Sequence, residues 1–252
     1  MTLLRVALAG RDTAELLPVV SDLGLRIDDE DPEVVISYGG DGTLLGAEYE
    51  WPGVPKLAIR HARSCRKCPD HEDAVVLKRL AEGDFSRTLL MKMEAHARGQ
   101  RLVGINDITL NKVVPFWGVR YRVWINGEAY SGEIVGDGVV VSTPFGSSAY
   151  YRSISRSFFR EGIGVAFNNS TEQVDHLVLR EADRIRVLIT RGPSLLCADN
   201  APNPIQLEEG EEAEIGKAEE TTFLLAADTL LCTRCRRADG ALFNRLGGLT
   251  SL

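Results

Sequence analysis

The sequence predicts an α/β N-terminal domain built on a parallel sheet, followed by a β-rich C-terminal domain. Residues 1–84 alternate between short apolar runs and helical patterns, as in parallel sheets with helices on their faces. Beyond Gly83-Asp84 the pattern changes to many short strands separated by turn signals such as Asn126-Gly127. We therefore predict domains at 1–84, completed by the tail 227–252, and at 85–226.

The elements follow from apolar runs and breakers. In the first domain we predict strands at 3–9, 34–38 and 56–59 and helices at 13–23, 43–50 and 73–83. In the second we predict strands at 86–94, 100–104, 107–110, 119–125, 138–142, 177–179, 185–189 and 222–226. The glutamate-rich stretch 207–220 alternates with apolar residues, which favours a solvated hairpin edge over a metal-binding patch.

Composition narrows the class of protein. The 252 residues are 44% hydrophobic and 26% charged, as in ordinary soluble globular proteins. A net charge of −7 argues against nucleic acid or a membrane surface as a partner, so local donors must hold any anionic ligand. The N-terminus reads as a first strand and no apolar stretch approaches the ~20 residues of a membrane span, so we expect a cytoplasmic protein.

A glycine-rich turn, Gly39-Gly40-Asp41-Gly42-Thr43, ends the predicted strand 34–38 at the edge where open α/β sheets bind ligands. We expect its three glycines to allow positive φ and close approach to a ligand, Thr43 to cap a helix, and the exposed N–H groups to suit phosphate. Asp41 would repel phosphate unless a metal ion intervenes or the carboxylate faces a hydroxyl. This favours phosphoryl transfer to an alcohol; a purely structural turn is the alternative.

A second segment, residues 136–151, reads Gly-Asp-Gly-Val-Val-Val-Ser-Thr-Pro-Phe-Gly-Ser-Ser-Ala-Tyr-Tyr. With Gly39 to Thr43 and Asn106-Asp107, it resembles the NAD kinase family, which carries Gly-Gly-Asp-Gly-Thr, an asparagine followed by an acid, and Thr-Pro-x-Gly-Ser-x-Ala-Tyr in this order. The glycine motif is shared with lipid kinases and phosphofructokinases, whereas the last segment is more discriminating. The resemblance covers roughly residues 33–200.

The resemblance implies an NAD-kinase-like fold with a Rossmann-like N-terminal domain. It implies Mg²⁺-dependent phosphoryl transfer from ATP or polyphosphate to the adenosine 2′-hydroxyl of NAD or NADH, in a dimer or tetramer. Asp41 would face the hydroxyl, and Asn106 and Asp107 would hold ribose hydroxyls. The residues that it implies for the rest of the nucleotide site are Gly39, Gly40, Gly42, Thr43, Asp137, Thr143, Ser147, Ser148, Ala149, Tyr150 and Asp199.

Three departures from the family pattern keep other functions open. Phe145 replaces a threonine, Ala58-Ile59-Arg60-His61 replaces Gly-Ile-Asn and a second glycine loop, and residues 151–156 replace a double glycine and proline. A kinase of another hydroxyl, on a lipid or nucleoside, is one alternative. A nucleotide-binding regulator without turnover is the other. Structural interpretations also remain: turns at Asn106-Asp107 and Asp137, and a helix cap at Ser147-Ser148.

Four of the five cysteines form two Cys-x-x-Cys pairs, Cys65/Cys68 and Cys232/Cys235, with the spacing of tetrahedral zinc sites. We hypothesise one structural Zn²⁺ bound by all four thiolates, which fastens the tail to the loop after the third strand. Two unrelated buried pairs or disulfides are the alternatives.

Overall fold

The computed structural model describes residues 3–60 and 72–227 of the chain. Two units can be distinguished, one formed by Met1–Leu90 and Thr221–Leu252 and the other by Met91–Glu220. The chain passes between the units within two long strands, Arg87–Ala97 and Glu212–Leu225, rather than in loops.

The first unit contains a parallel sheet and its helices. Its strands are β1 (Arg5–Ala9), β2 (Arg26–Ile27), β3 (Val34–Gly39) and β4 (Lys56–Arg60), and its helices are α1 (Leu17–Asp22), α2 (Asp41–Glu50) and α3 (Asp73–Glu82). A 3-10 helix, Thr13–Leu16, precedes α1, whose first turn contains Pro18. Proline suits the first turn of an α-helix because its missing N–H has no partner there.

All strand pairs of this sheet are parallel, in the order β2-β1-β3-β4, and the last residues of the long strand Glu212–Leu225 pair with β4. Five of the six β3 residues are buried, as expected for a central parallel strand covered on both faces. Its core combines strand residues such as Ile36 and Leu57 with Val76, Leu77 and Leu80 of α3. This packing fixes the edge at which β3 and β4 end, where Gly39 is the register partner of Arg60.

The second unit is built from antiparallel strands and one short helix. The remaining strands of the described chain are β5 (Arg87–Ala97), β6 (Gln100–Gly104), β7 (Asp107–Lys112), β8 (Val119–Ile125), β9 (Glu128–Ala129), β10 (Ile134–Gly136), β11 (Gly138–Ser142), β12 (Ile163–Asn168), β13 (Leu177–Leu179), β14 (Ile185–Arg191), β15 (Ser194–Ala198), β16 (Ile205–Leu207) and β17 (Glu212–Leu225). The helix is α4 (Tyr150–Ser155), which follows a 3-10 helix, Gly146–Ser148.

Six of these strands form one antiparallel sheet in the order β13-β12-β11-β7-β15-β16. One face of this sheet, with Ile108 and Val139, packs in a core with Tyr121 of β8 and Val187 of β14. Because side chains alternate along a strand, Asp107, Thr109 and Asn111 of β7 lie on the opposite face. That face therefore carries the polar groups of the unit's candidate site.

The predicted fold class, a parallel α/β domain and a β-rich domain, is confirmed. Several local predictions differ from the structure. Helix α2 begins at Asp41 rather than Thr43, and β12 lies where no strand was predicted. No helix among the described residues is long and apolar enough to cross a membrane.

One buried hydroxyl provides a test of the second unit's packing. Ser194 Oγ is buried and has no hydrogen-bond partner among the described residues, whereas the buried Ser142 hydroxyl lies 3.2 Å from Asn106 O and 3.1 Å from Thr143 O. We expect Ser194→Ala to leave the free energy of unfolding unchanged or raise it by up to about 1 kcal/mol. Ser142→Ala should lower it by about 1 kcal/mol because the hydrogen bond that the single Ser142 hydroxyl proton makes to one of these carbonyls is lost.

Urea unfolding of both variants measures the difference. A larger loss in Ser194→Ala than in Ser142→Ala would contradict the arrangement of these two hydroxyls.

Candidate functional site

The glycine-rich turn connects β3 to α2. Gly39 is the last residue of β3, and Gly40 is the residue preceding α2. A Cβ on Gly39 would lie 2.3 Å from Thr43 Oγ1, so this position excludes other side chains unless Thr43 moves. The glycine is thus required by close packing within the turn.

Two expectations about this turn were wrong. None of Gly39, Gly40 and Gly42 has a positive φ; Gly40 is extended, with φ −103° and ψ −171°. Thr43 does not cap α2 but lies in its first turn, where its N–H donates to Gly40 O at 3.0 Å. Helix α2 therefore begins two residues earlier, and Asp41 occupies its first position.

The Asp41 side chain is 60% exposed, and Arg60 Nη2 lies 3.5 Å from its Oδ1. Arg60 ends β4 beside the end of β3, which explains why two residues far apart in sequence meet. An ion pair this long and exposed contributes little to stability, so Asp41 remains accessible to a ligand. From the sequence, Arg60 was identified only as a departure from the family pattern, and its position beside Asp41 was missed. The signal that could have revealed it is that β3 and β4 are neighbouring parallel strands, whose ends lie side by side.

A cavity of about 490 Å³ lies on the α2 side of the first unit's sheet and is lined partly by Thr43, Gly10 and Trp51. Asp29 and Glu50 also line it. Their carboxylates make this cavity unsuitable for a bare polyphosphate chain.

In the second unit, Asn106 and Asp107 are fixed through the neighbouring Ser142-to-Gly146 segment. Asn106 O accepts from Thr143 N–H at 2.9 Å, and the Thr143 hydroxyl donates to Ile105 O at 2.6 Å. Gly146 N–H in turn donates to Thr143 Oγ1 at 3.0 Å. A Cβ on Gly146 would lie 2.1 Å from Asn106 O, so only glycine fits where the two segments meet.

Asp199 supports the same segment from the end of β15. Its Oδ2 accepts from Ile105 N–H at 2.7 Å, and its Oδ1 accepts from the N–H groups of Asn106 and Asp107 at 2.8 and 3.0 Å. The sequence predicted Asp199 as a nucleotide-site residue. In the structure its carboxylate binds the backbone of the two other predicted residues.

The Asp107 carboxylate is buried, with 7% of the residue exposed, and has no hydrogen-bond partner among the described residues. Burial, and then the nearby charge of Asp199, raises the pKa of Asp107 to about 7. Buried carboxylates normally have a partner, so one without a partner is a candidate acceptor for a ligand.

Tyr150 lies close enough to both Asp107 and Asp137 to feel the charge of each. Burial, followed by the charges of Asp137 and Asp107, raises the pKa of Tyr150, and its hydroxyl accepts from Asn168 Nδ2 at 2.9 Å. Asp137 pairs with Lys112, whose Nζ lies 2.6 Å from Oδ1. Lys112 is a further residue that the sequence reasoning missed.

The segment Ser147-Ser148-Ala149 leads into α4. Ser147 Oγ lies 2.8 Å from Pro144 O and 2.9 Å from Phe159 O, so its hydroxyl serves the internal structure. Neither the 3-10 helix nor α4 has a side-chain cap, so the proposed cap at Ser147-Ser148 is wrong. The Ser148 hydroxyl has no partner in the described part of the chain.

The described residues contain no group of three or more His, Cys, Asp or Glu side chains that could hold a metal ion. Mg²⁺ that arrives on substrate phosphates needs only one or two protein carboxylates, and exposed Asp41 fits as one of them. The predicted zinc ligands Cys65, Cys68, Cys232 and Cys235 lie outside the described residues, so that site stays a prediction.

Comparison with known proteins finds sequence similarity to NAD kinases. An NAD kinase of Thermococcus gammatolerans is 31% identical over 157 residues, which cover 60% of this chain and 56% of that protein. The match thus spans little more than half of the relative's length. An NAD kinase of Lactobacillus delbrueckii subsp. bulgaricus is 21% identical over 224 residues, 84% of this chain and 83% of that protein. No family model matches.

Two solved structures share the fold. Yeast NADH kinase in complex with NADH has a TM-score of 0.78 at 16% identity, and the match covers 99% of this chain and 89% of that one. An NAD kinase from Archaeoglobus fulgidus in complex with ATP has a TM-score of 0.72 at 15% identity, with 95% and 99% covered. The fold is therefore that of the NAD kinases. In sequence the chain is similar to NAD kinases over part or most of its length, and it shares their fold.

The contact between Gly146 and Asn106 can be tested directly. We expect Gly146→Ala to lower the free energy of unfolding by about 2 kcal/mol, because the new Cβ overlaps the Asn106 carbonyl. Gly132→Ala is the matched control, since no atom lies within 4 Å of its Cβ position. Equal midpoints of urea unfolding for the two variants would show that the segments do not meet at Gly146.

The buried Asp107 carboxyl predicts a pH-dependent stability. Its pKa rises from an ordinary value of 3.8 to about 7 on folding, so between these values the folded state binds more protons than the unfolded state. Asp107 therefore lowers the free energy of unfolding as pH rises through this window. Relative to wild type, Asp107→Asn should gain stability from about pH 4 to about pH 7 and then level off.

Urea unfolding at several pH values measures this difference. A difference that stays constant with pH would contradict the raised pKa.

Proposed function

We propose that the protein transfers a phosphoryl group from ATP or polyphosphate to the adenosine 2′-hydroxyl of NAD or NADH, giving NADP or NADPH. The observation that carries the proposal is Asp107, a buried carboxylate without a partner among the described residues. Vicinal ribose hydroxyls are donors and would satisfy it. The Asn106 side chain, also without a partner in the described chain, offers both a donor and an acceptor beside it.

In the first unit, Asp41 would orient the reacting hydroxyl. As the hydroxyl oxygen bonds to the γ-phosphorus, the bond from that phosphorus to the leaving oxygen breaks, and Asp41 accepts the hydroxyl proton. The transition state is loose, so proton transfer comes late and positioning accounts for most of the effect. The Arg60 guanidinium beside Asp41 would supply positive charge to the transferring group.

Gly40 and Gly42 at the start of α2 would lie against the donor phosphates, whereas the Thr43 N–H already donates to Gly40 O at 3.0 Å. Mg²⁺ bound to ATP would neutralise part of the donor's charge when present, with Asp41 as its candidate protein ligand. Gly39 serves this turn through its close contact with Thr43.

In the second unit, the remaining residues would shape the dinucleotide site. Tyr150 presents an aromatic face, Ser148 an unpaired hydroxyl, and Asp137 a carboxylate balanced by Lys112. Thr143 and Ser147 act through internal hydrogen bonds that hold the loop, and Ala149 joins it to α4.

A cytoplasmic homo-oligomer, dimer or tetramer, is also proposed from the family resemblance. Light scattering of the purified protein would measure the oligomeric state.

Replacing Asp41 tests the proposed reaction. We expect Asp41→Asn to lower kcat about 100-fold because the amide cannot accept the hydroxyl proton, with little change in NAD affinity. Asp31→Asn is the matched control, since Asp31 is also an exposed carboxylate of this unit and pairs with Arg5 at 3.2 Å.

Turnover of wild type and both variants should be measured with NAD and NADH as acceptors and with ATP and polyphosphate as donors. Unchanged turnover in Asp41→Asn would refute its role. Binding of NAD by the wild type without product would identify a non-catalytic regulator instead.

A further inference from the structure

Asp199 is the centre of a hydrogen-bond cluster formed with three consecutive backbone N–H groups. Its two carboxylate oxygens accept from Ile105, Asn106 and Asp107 at 2.7, 2.8 and 3.0 Å. A carboxylate that accepts several backbone N–H bonds fixes the local backbone strongly, because these bonds are charge-assisted. Asp199 N–H also donates to Asp107 O at 2.9 Å, so the two segments are joined in both directions.

Other features indicate that the surroundings are built for this carboxylate. Asp199 has φ +48°, an uncommon conformation for a residue with a side chain. A Cβ on Gly104 would lie 2.7 Å from Asp199 Oδ1, so glycine leaves room for the carboxylate. The position thus combines backbone strain and a required glycine with three hydrogen bonds.

We infer that Asp199 is a positioning residue, which holds the backbone of residues 105–107 so that the side chains of Asn106 and Asp107 stay available for the ribose hydroxyls. This inference rests on the proposed function for its ligand. It assigns Asp199 a role in shaping the site, in place of the direct nucleotide contact that the sequence predicted.

The charge of Asp199 gives the inference a second consequence. The titratable groups that interact with Asp107 in the described chain are Asp199 and Cys197 from the end of β15 and Tyr150 from α4. Because burial and Asp199 raise the pKa of Asp107 to about 7, NAD binding should strengthen as pH rises through that value. Removing the Asp199 charge should shift the midpoint of this dependence to lower pH.

The first experiment uses the protein without ligand. Asparagine at 199 offers one acceptor oxygen where aspartate offers two, so Asp199→Asn must lose at least one of the three bonds. We expect amide hydrogen exchange at residues 105–107 to become at least about tenfold faster. A tenfold change corresponds to a loss of about 1.4 kcal/mol in the free energy of local opening.

Asp183→Asn is the matched control for this experiment. Asp183 is a buried carboxylate of the same unit that accepts from Arg180 N–H and Asn126 Nδ2, both at 2.9 Å. Its replacement should leave exchange at residues 105–107 unchanged. Equal exchange in wild type and Asp199→Asn would overturn the inference.

The second experiment measures steady-state kinetics with NAD across pH. Asp199→Asn should raise the KM for NAD about tenfold, with kcat changed by less than about threefold, and should move the pH midpoint down. Asp183→Asn should change neither quantity. Equal KM increases in both variants would indicate a general structural defect and overturn the positioning role.

Failure of the proposed function and failure of the variant to fold can each be distinguished from failure of the inference about Asp199. If wild type does not phosphorylate or bind NAD, the proposed function fails, and amide exchange alone decides whether Asp199 holds residues 105–107. If Asp199→Asn does not fold, Gly104→Ala displaces the same carboxylate with its charge retained, and exchange at residues 105–107 should again accelerate.

Discussion

The candidate site of the second unit depends on backbone hydrogen bonds that end at one carboxylate. Three consecutive N–H groups precede or begin β7, where the antiparallel ladder does not satisfy them, and Asp199 accepts all three. Without this acceptor, partly buried donors would be left unpaired, which costs more than an ordinary hydrogen bond contributes. The conformation of Asn106 and Asp107 is therefore set by a residue over 90 positions away in sequence.

Three aspartates illustrate how environment separates the roles of one residue type. Asp41 is exposed beside Arg60, Asp107 is buried without a partner in the described chain, and Asp199 is bonded to the backbone. The exposed carboxylate suits proton acceptance, the unpaired one suits ligand hydroxyls, and the bonded one suits support. Environments that differ in solvent access and hydrogen bonding assign such roles more directly than sequence motifs do.

Much of the fold was predictable because its signals are local. The apolar run of β3, the glycine turn and the short alternating strands each follow from residues adjacent in sequence. Two contacts could not be predicted from the sequence, that of Gly146 with Asn106 and that of Arg60 with Asp41. Each joins segments that are distant in sequence and are brought together by the register of the sheet. The expectation of positive φ at Gly39 and Gly40 was wrong: Gly39 is required because a Cβ there would crowd Thr43, four residues later in the same turn. The long strand β17 was also missed in part, since alternating glutamates in it also fit a hairpin edge.

The position of Arg60 suggests how an acidic protein could bind the anionic phosphoryl donor of the proposed reaction. A net charge of −7 disfavours polyphosphates at long range, so under the proposed function a cation within the site would have to offset both the overall field and Asp41. Arg60 ends β4 at the edge where α2 begins, and its distance of 3.5 Å from Asp41 leaves the pair loose. A loose pair can exchange its carboxylate for a phosphoryl oxygen at little cost, because exposed ion pairs contribute at most about 1 kcal/mol. Under the proposed function, Arg60, which departs from the family pattern, would thus supply positive charge at this edge of the sheet.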